Sequence, residues 1–340
     1  MTHSSKNINY SILELVTVSA GASMQDTFGK SLDLAQKAES FGYNRFWLAE
    51  HHNMKSIASS ATSVLIGHIA GGTNSIRVGS GGIMLPNHSP LLVAEQFGTL
   101  GSLYPGRIDL GLGRAPGTDQ VTARAIRADR LRSLYRFPDE VAEVMGFFEN
   151  NEGAPVRATV AEGADVPVYI LGSSTDSAHV AAQLGLPYAF ASHFAPAQLM
   201  EALEIYRKEF QPSAHLQEPY TIAGINVMAA DTVEKARYLA TSSFKLMLGV
   251  ITNNIDYLQP PVEFSKEFED LLLNPAFQRM TKYAFIGDKE SIEKQTIDFI
   301  QQTGVDEVIV GAHIYEHEAR VYSYQLFSEV MKSINETVLA

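Results

Sequence analysis

The sequence predicts a single (β/α)8, TIM-type α/β barrel with an insertion before its eighth strand, and three observations carry that expectation. Short apolar runs alternate with longer segments of 3.6-residue period, the pattern of parallel strands joined by helical crossovers. Eight such units follow one another, the number at which a parallel sheet closes on itself. The turn after the first run, Ser19-Ala20-Gly21-Ala22-Ser23, has no G-x-G-x-x-G, and Gly111 to Gly117 misses that spacing by one residue, so an open dinucleotide-binding sheet is disfavoured.

The first strand is expected over 10–18, followed by a helix over 26–41 whose Leu34, Ala38 and Phe41 share a face and which Gly42 ends. A strand over 45–48 leads into Glu50-His51-His52. A helix over 61–70 precedes a third strand over 76–85. Pro90 opens a helix to Leu103, and Tyr104-Pro105-Gly106 turns the chain into the fourth strand, 107–112. A long loop and a helix over 138–150 close that unit. Strands over 168–171 and 188–191 are followed by helices over 175–184 and 196–210. The seventh strand spans 220–228, and Val233, Ala236, Ala240, Phe244 and Met247 share a face of the helix behind it. Residues 249–283 break the rhythm, and the eighth strand, 307–310, precedes a terminal helix carrying Tyr324, Phe327, Met331 and Ile334.

One domain over 1–340 suits a chain that is 45% hydrophobic and 19% charged, enough apolar material for one large core. The net charge of -12, with no basic run, argues against a nucleic-acid partner. With no cysteine, disulfides, thiolate nucleophiles, iron–sulfur clusters and thiolate zinc sites are excluded. The first residues lack a basic segment followed by a long apolar one, and no apolar run reaches about 18 residues, so a cytoplasmic protein without a membrane partner is expected.

In such a barrel the chemistry lies at the C-terminal ends of the strands. There the second strand delivers Glu50, His51 and His52: an imidazole can move a proton near neutral pH, and the competing reading is a structural pair capping a loop. Gly79-Ser80-Gly81-Gly82 in the third strand marks either contact between bare backbone and a flat ligand or a barrel corner. Arg114 after the fourth strand suits a phosphate through its two-pronged guanidinium, against the alternative of a solvated surface arginine. Gly172-Ser173-Ser174-Thr175-Asp176-Ser177 runs straight into a helix, where free amides and hydroxyls make an anion site; ordinary capping explains any one of the hydroxyls but not the group. His313 and His317 have i,i+4 spacing but span a strand end and a helix start, so no metal site is expected.

At the Glu50-His51-His52 loop, the GSGGIMLP strand, the YPGRIDLGLGRAPG turn and the LGSSTDSA helix start, the sequence resembles the luciferase-like flavin monooxygenases, over about 10–249 and again from about 284. The resemblance implies a barrel that binds FMN, taken up in reduced form from a separate flavin reductase, with O2 activated at the flavin and a small organic substrate. It implies that His51 lies near the reactive flavin edge, that Gly81-Gly82 is a cis peptide beside the flavin, and that Arg114, Ser174 and Ser177, with Ser173 in the same loop, hold the phosphate. Ser173 replaces an acidic residue of the light-emitting members and Gly113 replaces their cysteine, which points to the non-luminous subgroup. His52 and His193 are the next proton-handling candidates, residues 249–283 a lid with Pro260-Pro261 as a hinge, and a homodimer is expected. A deazaflavin-dependent dehydrogenase and a non-catalytic flavin-binding barrel are the alternatives.

Overall fold

The computed structural model describes residues 7–115, 117–127 and 135–339; Pro116 of the RAPG segment lies outside them. The strands are β1 (Asn9–Glu14), β2 (Arg45–Leu48), β3 (Arg77–Ser80), β4 (Ile83–Met84), β5 (Ile108–Gly113), β6 (Val168–Gly172), β7 (Tyr188–Phe190), β8 (Thr221–Ala229), β9 (Ala284–Gly287) and β10 (Glu307–Gly311). All pair in parallel. β10 lies between β1 and β8, which closes the sheet into a barrel of eight staves with β3 and β4 sharing one. Those staves are the eight runs that the sequence pattern marks.

The helices are α1 (Met24–Phe41), α2 (Thr62–Gly71), α3 (Pro90–Leu103), α4 (Gln120–Ile126), α5 (Phe137–Phe148), α6 (Thr175–Leu184), α7 (Leu199–Glu209), α8 (Val233–Ile251), α9 (Lys266–Leu272), α10 (Pro275–Met280), α11 (Lys289–Thr303) and α12 (His317–Leu339). Among the described residues none is long and apolar enough to cross a membrane. Side chains alternate along each strand, so one set packs outward on the helices and the other fills the lumen. Phe46, Ile108, Ile170 and Val310 belong to the outer core, while Leu13, Trp47, Tyr169, Ala189, Ile222 and Ile309 form a separate apolar plug.

Below that plug the N-terminal halves of the strands meet in a buried ionic layer. The Arg45 guanidinium donates to Asp109 Oδ2 and Glu307 Oε1, each at 2.8 Å, and to the Tyr169 hydroxyl at 2.9 Å. Trp47 Nε1 also donates to Asp109 Oδ2, Arg77 holds the other oxygen, Ser11 donates to Glu307, and Tyr220 donates to Glu307 Oε2 at 2.8 Å. The layer thus links β1, β2, β3, β5, β6 and β10 across the lumen.

Three expectations are corrected. The first strand ends at Glu14, because Val16 takes a positive φ of 53° and turns the chain. The third strand is interrupted between Ser80 and Ile83. Residues 284–303, which showed no strand in the sequence pattern, form β9 and α11. β7 registers only with Thr221–Ala223 of the long β8, whereas β9 takes Asn226–Ala229, so β9 is an addition to the closed barrel.

The segment at 249–283 continues α8 to Ile251 and then packs back on it. Phe244 of α8 meets Phe264, Phe268 and Phe277 with ring centroids 5.4–6.5 Å apart. Around Pro260 and Pro261, Lys245 donates to the Pro260 carbonyl at 3.0 Å and the Val262 N–H donates to Thr241 Oγ1 at 2.9 Å. Leu258 bridges to the loop after β1, donating to the Val18 carbonyl.

Arg45→Met would leave Asp109 and Glu307 buried with less compensation, and is expected to lower stability by about 3–5 kcal/mol in denaturant unfolding. Arg157→Ala, which breaks a more exposed pair with Glu162, should cost far less, because solvent screens that pair. Equal losses would refute the ionic layer as a principal constraint.

Candidate active site

Past the strand ends, the lumen opens at the C-terminal face among residues from four staves. The loop after β2 carries His51, the turn after β7 carries His193, β8 carries Asn226 and the loop after β10 carries His313. Each of these three histidines is half-buried. His51 Nδ1 lies 3.3 Å from the Gly117 carbonyl, which can only accept, so Nδ1 holds the proton of the neutral ring and Nε2 keeps its lone pair. His313 Nδ1 lies 3.2 Å from Thr17 Oγ1. His193 Nδ1 is buried with no hydrogen-bond partner, beside Gly224, and the His193 carbonyl accepts from Asn226 Nδ2 at 2.9 Å.

Burial holds His51 below the usual histidine range, and neighbouring His52 acts in the same direction against the opposing pull of the Gly117 carbonyl and Glu50. Burial, with His51 nearby, holds His193 down at about 4. Burial, with Arg320 and His193 nearby, holds His313 at about 3. The mouth therefore presents neutral imidazoles at pH 7.

Glu50 takes a different part. Its carboxylate is buried and accepts from the Met84 N–H at 2.8 Å and Asn87 Nδ2 at 3.1 Å, and it meets His52 Nε2 at 2.8 Å and His88 Nε2 at 2.9 Å. Burial alone would raise its pKa, but the hydrogen bonds of His52, His88 and the Met84 N–H, with the charge of His88, outweigh that and hold it at about 2. His52 and Glu50 are thus occupied in tying the loop after β2 to β4, while the His52 N–H donates to the Gly117 carbonyl. Of the adjacent histidines, His52 is the one held by the buried carboxylate, whereas His51 meets only the Gly117 carbonyl.

The Gly81-Gly82 peptide is cis. A Cβ at Gly82 would lie 2.7 Å from the Gly111 carbonyl oxygen, one at Gly81 would lie 2.7 Å from Leu13 Cδ1, and one at Gly111 would lie 2.2 Å from the Ser80 oxygen. Close packing of the staves therefore requires these glycines whether or not a ligand meets them.

Arg114 Nη2 donates to Asp176 Oδ2 at 2.6 Å, in a pair open to solvent. Asp176 lies in the first turn of α6, whose N-cap residue, Ser174, makes no side-chain capping bond. The Ser177 hydroxyl is turned inward, 2.9 Å from the Ser174 carbonyl and 3.1 Å from the Tyr188 hydroxyl, while Ser173 and Ser174 are half-buried at the rim. The helix end so offers amides and a guanidinium to an anion. His313 and His317 do not face one another, since His317 Nε2 is held by Asp33 at 2.8 Å.

The family model for luciferase-like monooxygenases matches residues 9–307. The chain belongs to that family. Among its relatives is the luciferase-like monooxygenase of Escherichia coli (strain K12), 46% identical, with 97% of this chain and 98% of the relative covered. The N-acetyl-S-alkylcysteine monooxygenase of Bacillus subtilis (strain 168) is 31% identical, with 95% and 98% covered. The crystal structure of apo-MsnO8 superposes with a TM-score of 0.87 at 31% identity, over 96% of this chain and 99% of that one. The oxygenating constituent of 3,6-diketocamphane monooxygenase from Pseudomonas putida, in complex with FMN, shares the fold with a TM-score of 0.69 at 17% identity, over 95% and 97%. The chain is accordingly an oxidoreductase of a monooxygenase family.

Sequence reasoning reached His51, Arg114 and the serine loop but not His88, Asn226 or the place of His313 in the mouth. The available signal was register, since every second residue after Ala189 and Ile309 leads to His193 and His313. For Glu50 the folded pKa lies below its ordinary 4.5, so its stabilising effect is complete above that pH and disappears as pH falls toward about 2. Glu50→Gln should therefore destabilise by about 3 kcal/mol at pH 7, and the gap from the parent should narrow between pH 4.5 and 2 in unfolding curves. A gap independent of pH would contradict this assignment.

Proposed function

We propose that the protein is a flavin-dependent monooxygenase that takes reduced FMN from a separate reductase and uses O2 to oxidise a small organic substrate. The observation that carries this reading is the convergence, at one end of the barrel, of an uncapped helix N-terminus beside Arg114 with the neutral His51 imidazole. The residues fit a flavin phosphate. Arg114, the α6 amides and the hydroxyls of Ser173 and Ser174 would hold it, and Ser177 would act through its backbone, its hydroxyl being bound within the loop. The FMN complex of a protein of the same fold and the monooxygenase activity in the relatives' names support the same reading.

Bound reduced FMN would supply the two electrons that reduce O2. The chain's own part is to position and to exclude. The plug of Leu13, Trp47 and Tyr169 closes the lumen below the site, so water has no path through the barrel. His51 offers Nε2 as a proton acceptor, its orientation fixed by the Gly117 carbonyl. The glycine staves β3 to β5 leave one wall of the lumen with little side-chain bulk, where Gly81 and Gly82 would lie beside the flat ring. Residues 252–283 would cover the mouth, moving about their α8 anchors.

Arg114→Ala is expected to weaken FMN binding by about 1.5–3 kcal/mol, as for loss of a charged hydrogen bond, and to leave riboflavin binding unchanged, because riboflavin lacks the phosphate. Equal effects on the two ligands in absorbance titrations would remove the phosphate assignment. Tighter binding of a deazaflavin than of FMN in the same titrations would favour the dehydrogenase alternative. His51→Ala should retain FMN affinity but change the rate of reduced-FMN oxidation by O2 in stopped-flow mixing by about 10²-fold or more. A rate equal to the parent's would make His51 structural.

A further inference from the structure

We infer that the Thr17 hydroxyl and a water-sized pocket behind it form a proton route through the barrel wall, from the groove between α1 and α12 to His313. The inference rests on the reading of the mouth as the place where reduced FMN meets O2. Oxidation of anionic reduced FMN by O2 to FMN and H2O2 moves two electrons and needs one proton beyond the one that the flavin gives up. With the apolar plug below the site and the flavin and the insertion above it, that proton needs an entry at the side.

Register puts His313 on the inner side of the wall. Val308, Val310, Ala312 and Ile314 belong to the outer core and Ile309 to the lumen plug, so alternation turns His313 inward. The pocket lies on the other side, against Ala312 and Ile314, with Thr17, Ser19, Tyr315 and Arg320 among its polar lining. Thr17 joins the two sides, since it lines the pocket and its Oγ1 lies 3.2 Å from His313 Nδ1. It is held in the seam between β1 and β10. Val16, a β-branched residue strained at a φ of 53°, turns the chain there, and its N–H donates to Glu14 Oε1 at 2.6 Å. Arg320 donates to the same carboxylate and, at 3.0 Å, to the Ala312 carbonyl, so one guanidinium pins both edges of the seam.

The pocket has a volume of about 20 Å³, and a water needs about 10–15 Å³ with two to four polar partners. It therefore suits a single water and is too small for an organic ligand. Among the described residues the Thr17 hydroxyl bonds to His313 alone, so it can donate to Nδ1 and still accept from a water in the pocket. Lys30 and His317 line both the pocket and the groove between α1 and α12, which joins the pocket to solvent, and Asp33 holds His317 there at 2.8 Å. The transfer balances: the pocket water gives a proton to the Thr17 oxygen, Thr17 gives its own to Nδ1, and Nε2 releases one on the lumen side. Solvent in the groove restores the water, and exchange with solvent restores the starting tautomer of the ring when the flavin leaves.

NMR of the full chain without flavin tests the pocket. Water-to-methyl Overhauser effects should appear at Thr17 and Ile314 and vanish in Ala22→Leu, or in Ala22→Val should the first fail to fold, because the added side chain fills the space. Their absence from the parent would overturn the route. Stopped-flow oxidation of enzyme-bound reduced FMN by O2, in H2O and in D2O, tests the transfer. Thr17→Val keeps the shape without the hydroxyl and should lower the rate by about 10-fold or more and raise the solvent isotope effect, and Thr17→Ser should restore both. Ala22→Leu leaves the bond from Thr17 to His313 in place yet should reproduce the Thr17→Val result. If only Thr17→Val slows oxidation, Thr17 is structural and the route fails. If both variants bind FMN and oxidise it as the parent does while His51→Ala does not, the route fails and the reading of the mouth stands. If the parent binds no FMN, or His51→Ala also matches it, the reading of the mouth fails and the route with it.

Discussion

The Arg45 guanidinium is the cation on which the closed barrel depends. It is buried, and bonds to Asp109 on β5, Glu307 on β10 and Tyr169 on β6. A cation in that place carries a large desolvation cost, offset because both carboxylates and the Tyr169 hydroxyl converge on it with good geometry. The same bonds fix how strands distant in sequence stand across the lumen. A slip of one residue in any of these strands would turn its charged partner out of the layer and its apolar lumen residue out of the plug.

Above this layer the chemistry changes by height. Apolar residues seal the middle, and the mouth carries imidazoles, an amide and a hydroxyl in place of fixed charge. The carboxylate of the loop after β2, Glu50, is turned to construction. By binding His52, His88, Asn87 and the Met84 N–H it holds the loop that presents His51, and it distinguishes two adjacent histidines of equal chemistry, since only His52 is tied to the carboxylate. Anion recognition is set apart at the rim, where Arg114 and the first turn of α6 meet. Phosphate anchoring and proton handling thus fall on different loops of one rigid frame, which is why the variants proposed for the two functions should separate binding from rate.

The glycines show how a packing requirement and a functional reading coexist. Gly79, Gly82 and Gly111 each face a neighbouring backbone atom within 2.7 Å of where a Cβ would stand, so the close approach of β3 to β5 is sufficient reason for them. A ligand lying on that wall would use a surface that the barrel already had to make.

By itself the sequence determined the staves, because alternation and helical period are local properties of apolar residues, and it determined the family resemblance, because the HH, GSGG, RAPG and SSTDSA segments are contiguous. It also singled out His51, Arg114 and the serine loop, each of which directly follows a strand. Only the tertiary structure decided which histidine the buried carboxylate holds: His51 and His52 are indistinguishable until Glu50 takes His52 and His88, 36 residues beyond His52, reaches the same carboxylate. Only the fold brings Arg45, Asp109 and Glu307 together, or places His193 and His313 at the same end of the barrel as His51, since these residues lie 64 or more positions apart and are gathered by barrel closure. β9 and α11 escaped the sequence pattern because Ala284–Gly287 is a four-residue strand whose place is set by the free half of β8 rather than by its own periodicity. Short-range pattern is written in the chain, whereas the electrostatic partners of a buried group exist only once the barrel has closed around them.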